Sequence, residues 1–181
     1  MLFEERTMKS TRAFEGKVLS VRVDTIELPN QRYAKREIVE RANAVGIVAV
    51  DDGGDLILVR QFRKAAERVL LEIPAGMIEP SEEPRETARR ELREETGYTA
   101  KKISYITEFY ATPGFCNEKL TLFLAEDLEE GMQDLDEEEN VEVVKMSVPD
   151  ALRAIAAGDI VDAKSIVGIL AYETYWRKNH D

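Results

Sequence analysis

Glycines at positions 76 and 97 bracket the stretch GMIEPSEEPRETARRELREETGY (Gly76–Tyr98), where the order of charges and breakers leaves little choice of local structure. Glu91, Glu94 and Glu95 stand at i, i+3 and i+4, so a helix gathers all three on one face. Ser81 is a candidate N-cap, and Pro84 in the first turn needs no intrahelical N–H partner. Ala88 and Leu92 form a narrow apolar stripe, and Gly97 is the expected stop. The three acids therefore fall in the last turn, at the negative end of the helix dipole, where carboxylates are disfavoured. Two readings follow. One is a solvated acidic face that Arg89, Arg90 and Arg93 neutralise. The other is a counterion site, since hard divalent cations such as Mg²⁺ bind through carboxylate oxygens.

Composition narrows the chemistry. The 181 residues, 44% of them hydrophobic, suffice for one packed domain and a small appendage. No apolar run approaches the roughly 18 residues of a membrane span, so no membrane association is expected. The start, MLFEERTMKS, lacks a basic-then-apolar signal, so a cytoplasmic location is expected. The single cysteine, Cys116, excludes an internal disulfide and a cysteine-clustered zinc site. The single histidine, His180, lies next to the chain end, which argues against histidine-based triads and histidine-built zinc sites. Acid–base work then falls to carboxylates, Lys or Tyr. The net charge of −11 is concentrated in Glu126–Glu142, which holds ten acids and no base. No basic stripe invites nucleic acid. A polyanionic substrate would be repelled unless metal ions accompanied it.

The texture of the chain changes near residue 43. Before it, Lys17–Asp24 alternates apolar and polar, Pro29-Asn30 marks a turn, and Arg36–Val39 returns. This reads as a β appendage, residues 1–42, with too few apolar residues for a core of its own. From residue 43 to 181 the pattern is mixed α+β. Strands are expected at Val45–Val50, Leu56–Val59, Val69–Ile73, Ile103–Tyr110, Leu120–Leu124 and Val141–Met146. Helices are expected through the acidic stretch above, from Pro149 to Ala157 and from Ala163 to Trp176.

Seven positions, Gly76, Glu82, Arg90, Glu91, Glu94, Glu95 and Gly97, match the pattern GX5EX7REUXEEXGU, in which U is a bulky aliphatic residue. The chain thus resembles the Nudix hydrolases, which cleave a nucleoside diphosphate linked to another moiety with the help of divalent metals. Tyr98 departs from the last U but remains a large, apolar-bodied residue. The resemblance implies an αβα sandwich with a mixed sheet. It also implies Glu91, Glu95 and the Ala75 carbonyl as metal ligands, with two or three Mg²⁺ ions, or Mn²⁺ as an alternative. Glu94 would act through water or from behind the ligands, Arg90 would pair with Glu94, and Glu82 would contribute electrostatically, with Glu79 a weaker candidate.

Outside that pattern the chain resembles the bacterial ADP-ribose pyrophosphatases, through LPNQRYAKREIVER (Leu28–Arg41), VRQFRKAAE (Val59–Glu67), LEIPAGMIE (Leu71–Glu79), FYATPGFCNE (Phe109–Glu118), DLDEEENVEVV (Asp134–Val144) and DAKS (Asp162–Ser165). Pro113 occupies the proline position that this subgroup has beyond the helix. The subgroup implies hydrolysis of ADP-ribose to AMP and ribose 5-phosphate by a homodimer that exchanges its N-terminal appendages. By this resemblance Arg36 and Glu37 lie near the adenine or the dimer interface. Arg63 reaches the pyrophosphate, and Gly114 and Glu118 lie near the terminal ribose. The general base comes from the acidic loop, where alignment favours Glu139, then Glu138 or Glu137. The alternatives are another nucleotide sugar, such as GDP-mannose, and a non-catalytic binding module, against which the intact glutamates speak.

Overall fold

Three antiparallel strands open the chain: β1 (Arg6–Glu15), β2 (Ser20–Glu27) and β3 (Tyr33–Glu40), in spatial order β1-β2-β3. β1 had no counterpart in the alternation pattern. Its ten residues are all exposed, so no buried face imposed a period of two on its sequence. Arg12 and Arg22, opposite one another on β1 and β2, both reach Glu40, at 2.5 and 2.8 Å. The computed structural model describes residues 3–135 and 139–177, and these divide into two units. The first unit is Met1–Asn43 together with Tyr110–Lys119. The later segment joins it by backbone pairing: the Val39 N–H donates to the Phe115 carbonyl at 2.7 Å, and the Asn117 N–H donates back to the Val39 carbonyl at 3.2 Å.

The second unit, Ala44–Phe109 with Leu120–Asp181, is a seven-stranded mixed sheet with helices on both faces. Its strands are β4 (Ala44–Val50), β5 (Asp55–Arg63), β6 (Arg68–Glu72), β7 (Ala75–Met77), β8 (Thr99–Tyr110), β9 (Lys119–Glu129) and β10 (Val141–Ser147). The main path is β10-β5-β4-β9-β8, with β6 paired to β5 and β7 to β4. β4 and β9 run parallel, while β5 is antiparallel to β4, β6 and β10. Every residue of β4 is buried, as its unbroken apolar run requires of a strand covered on both sides. Val45, Ile47 and Ala49 pack with Ala88, Leu92 and Tyr98 under helix α1 (Pro84–Thr96). Val48 and Val50 pack on the other face, against α2 (Val148–Ala157) and α3 (Ala163–Ala171). Tyr98, the departure from the aliphatic pattern, is buried in the α1 layer, so its ring serves the packing that an aliphatic residue would.

Two local expectations need correction. Ser81 does not cap α1. It has φ +74°, and the N-cap is Glu83, whose side chain makes no capping bond, with Pro84 as the first helical residue. The early breaker and the dipole suffice to start the helix without a hydroxyl cap. The last helix is also not uniform. It ends as α-helix at Ala171 and continues as a π-helical turn over Tyr172–Trp176, which lets Tyr172 stay buried and Trp176 lie on the core. None of the described helices is long and apolar enough to cross a membrane.

Candidate active site

Gly97 adopts φ +78°, and its N–H closes on the Arg93 carbonyl, so α1 stops where the sequence places its stop. The acidic face is therefore formed as expected, but its members stand in different surroundings. Glu95 is only 4% exposed. Its Oε2 accepts the Ala75 N–H at 2.9 Å, which ties the short strand β7 to the helix. Burial pushes the Glu95 carboxyl up to about 8, and the charges of Glu91 and Glu139 push the same way. Glu91 is raised by the same first cause, burial, against the opposing pull of Arg90.

Arg90 organises this face. Its Nε and Nη2 bind the two oxygens of Glu82 at 3.1 and 3.0 Å, and its Nη1 binds Glu91 at 2.8 Å and Glu94 at 3.0 Å. Its Nη2 also donates to the Met77 carbonyl at 3.2 Å. Glu82 thus does more than add charge at the helix start. It anchors the guanidinium, and the bond to Arg90 leads the causes that hold its carboxyl down at about 2. Glu79 contributes backbone only: its N–H donates to Glu82 at 3.3 Å.

Gly76 is required by space. A Cβ built there would lie 1.9 Å from the Glu91 carboxylate, so the turn leaves room for that carboxylate and for no side chain of its own. Gly76→Ala is expected to displace Glu91. The clash is with the end of a flexible side chain, so unfolding should stay near wild type while kcat/KM falls roughly 10- to 100-fold, about 1.4 to 2.7 kcal/mol. Calorimetry beside initial rates checks this, and a Gly76→Ala enzyme of normal activity would remove Glu91 from the site.

The acidic segment is docked on the end of α1. The Gln133 side-chain amide donates to the Glu95 carbonyl at 2.6 Å and to the Val141 carbonyl at 3.3 Å, and the Asp134 N–H donates to the Glu94 carbonyl at 3.0 Å. These bonds satisfy helix carbonyls that lack intrahelical partners. They also hold both ends of the stretch that carries Glu139, close enough to Glu91 and Glu95 to raise both. Gln133 was not singled out from the sequence, where one amide in an acidic run carries no signal. Glu137 and Glu138 lie outside the described residues.

The other candidates separate by unit. Arg63, at the end of β5, belongs to the same unit as α1, and its Nε and Nη2 fork onto Glu72, both at 2.8 Å. Arg36, Glu37, Gly114 and Glu118 belong to the first unit. There Arg36 forks onto Glu5, with Nε to Oε2 at 2.9 Å. Glu37 is exposed on β3. Arg41 binds Glu118 at 3.0 Å, and its N–H donates to Asn117 Oδ1 at 2.9 Å. Gly114 sits in open space, where an added Cβ would meet nothing within 4 Å. Cys116 is buried and packs as a small apolar residue.

The family model described as NUDIX domain matches residues 40–166. The chain belongs to the Nudix family. Among Nudix relatives, an ADP-ribose pyrophosphatase of Bacillus subtilis (strain 168) is 49% identical over 168 residues, covering 92% of this chain and 91% of that protein. A methanol dehydrogenase activator of Bacillus methanolicus is 39% identical over 170 residues, covering 93% and 92%. A solved structure described as an ADP compounds hydrolase superposes with a TM-score of 0.88 at 23% identity, covering 99% of this chain and 97% of that one, which shows the shared fold. This Nudix chain is a hydrolase, and the α+β sandwich with its N-terminal antiparallel sheet is the architecture that the sequence implied.

Nudix pyrophosphatases use divalent ions, and the residues present fit such an ion. Glu91 and Glu95 are carboxylates partly or wholly withdrawn from water, the charge of Glu91 acts on Glu95, and the Ala75 N–H bonds Glu95. Such oxygens suit hard cations. Among the described residues, no three acidic, cysteine or histidine side chains form a ready metal cage.

Proposed function

We propose that the chain hydrolyses the diphosphate bond of ADP-ribose, giving AMP and ribose 5-phosphate, with Mg²⁺ as cofactor and Mn²⁺ as the alternative. The observation that carries this reading is the half-buried Glu91 beside the buried Glu95 under the Gly76 turn, with Glu139 in electrostatic reach of both. The name of the Bacillus subtilis relative supports ADP-ribose as the substrate. Glu91, Glu95 and the Ala75 carbonyl would hold two or three ions. Bound there, divalent ions neutralise phosphoryl charge and acidify water. Arg90 holds Glu91 and Glu94 on one nitrogen and so orients them, Arg63 meets the diphosphate, and Glu139 takes the proton of the attacking water. The water oxygen bonds to phosphorus as the bridging P–O bond breaks, and the leaving phosphate carries away the electron pair. Arg36, Glu37, Gly114 and Glu118, all of the first unit, are the further substrate-binding candidates in this reading.

Product analysis on a panel of nucleotide sugars tests it. With Mg²⁺, ADP-ribose should yield AMP and ribose 5-phosphate, and EDTA should abolish turnover. Preferred cleavage of GDP-mannose would move the assignment to another nucleotide sugar, and no cleavage of any panel member would overturn it.

We also propose a homodimer built through the N-terminal sheet. β1 is an edge strand exposed along its whole length, and Met8 and Phe14 on it are large, exposed apolar side chains. An exposed edge with unpaired backbone groups is a template for pairing with another chain, and exposed apolar side chains beside it favour such a contact. Light scattering should report twice the 20.5 kDa chain mass, and Met8→Glu with Phe14→Glu should yield monomers of reduced activity. A fully active monomeric double variant would exclude this interface.

A further inference from the structure

Glu72 is 2% exposed and meets two cations. Arg63 forks onto both of its oxygens, and Lys164, itself nearly buried, binds Oε2. Lys164 also binds Asp162 at 3.0 Å. Asp162 caps α3 by accepting the Ser165 N–H at 3.0 Å and the Ser165 hydroxyl at 2.6 Å, and the Ser165 Oγ in turn accepts the Ile73 N–H at 2.8 Å. The DAKS sequence at the start of α3 is thus stapled to Glu72-Ile73, two residues before Ala75, whose N–H holds Glu95. Such a network is a poor device for stability alone, because apolar packing commonly stabilises a core as well as a buried ion pair does. Its geometry serves orientation. The fork fixes Nε and Nη2 of Arg63 and leaves the Nη1 edge outside it, and Arg63 also feels the charge of Glu95. Arg63 and Lys164 face Glu72 and Asp162, so the four charges balance, and the network fixes where the guanidinium lies rather than adding net charge.

We propose that Glu72 and Lys164 are positioning residues: Glu72 aims the guanidinium of Arg63 at the substrate diphosphate, and Lys164 holds the Glu72 carboxylate in place. This rests on the pyrophosphatase reading above. Glu72 frees Arg63 to swing if its carboxylate is lost. Lys164, once removed, leaves the Glu72 carboxylate without its second anchor, so the fork that fixes Arg63 loosens. Either change weakens diphosphate binding without touching the reacting atoms.

The test is a double-mutant cycle on the full-length enzyme with ADP-ribose and saturating Mg²⁺, with thermal unfolding of every variant. Glu72→Gln and Lys164→Met should each raise KM about tenfold with kcat changed less than about threefold. In an Arg63→Ala background each should cost no more than about a further twofold, because the residue through which they act is gone. Lys164→Arg, which keeps the charge, should restore KM to within about threefold of wild type. If Glu72→Gln does not fold, the Lys164→Met arm decides alone. Normal KM in the single variants, an Arg63→Ala enzyme that loses nothing, or effects that multiply with Arg63→Ala would overturn the proposal while leaving the pyrophosphatase reading intact. A wild-type enzyme that cleaves no nucleotide sugar would overturn that reading first, and the proposal with it.

Discussion

Glu95→Gln is expected to lower kcat by roughly two to four decades, about 3 to 5 kcal/mol of transition-state stabilisation, and to leave the fold in place. Glutamine keeps the shape of the side chain and an oxygen to accept the Ala75 N–H, so the bond between β7 and α1 survives. What it removes is the charge that would hold a cation. In the metal-free protein that charge is a burden. Burial raises the carboxyl from 4.5 to about 8, so the folded state favours the protonated form. A raised acid of this kind contributes its full stability below about 4.5 and loses it as pH climbs toward about 8. Metal-free wild type should therefore grow less stable across that window, and Glu95→Gln should flatten the slope. Melting in EDTA at several pH values and steady-state rates in Mg²⁺ check both halves. A Glu95→Gln enzyme within about tenfold of wild type, or about 1.4 kcal/mol, would sink the metal assignment.

The legible parts of this fold are those where burial writes a period into the sequence. β4 reads as a strand because all its side chains are buried, and α1 because charge, stripe and breakers agree on one helix. β1 left no such trace, since both of its faces are exposed. The glutamates of the site were legible for a related reason: their spacing makes sense on one helix and against one ligand. Arg90 and Glu94 were legible as an i, i+4 pair, which the structure joins at 3.0 Å. Glu72, Lys164 and Gln133 were not. Glu72 and Lys164 are 92 positions apart, and a lone charge on a strand or a helix start looks like any solvated residue until the fold buries it. Motif spacing identifies groups that share one helix face. Groups that the fold brings together from distant positions, such as Glu72 and Lys164, come from wherever the chain returns, so local pattern does not find them.

Glu139→Gln is expected to lower kcat by roughly two decades or more and to leave KM and metal affinity within about threefold of wild type. Glu91 and Glu95 are assigned to the cation, and a carboxylate so engaged is a poor proton acceptor. Glu82 and Glu94 are bound to Arg90. Glu139 is exposed, lies between the bonds of Gln133 and Asp134 on one side and β10 on the other, and acts on both Glu91 and Glu95 through space. In the proposed reading, an acid so placed would serve a water at the ions without being a ligand of them. Glu137→Gln should cost far less. The comparison of glutamine substitutions at positions 137, 138 and 139, each read for kcat, KM and Mg²⁺ dependence, separates a proton acceptor from a bystander. Were all three tolerated with less than about a tenfold loss, the acidic segment would not supply the base. Glu94, freed from Arg90 as substrate and ions assemble, would then be the better choice.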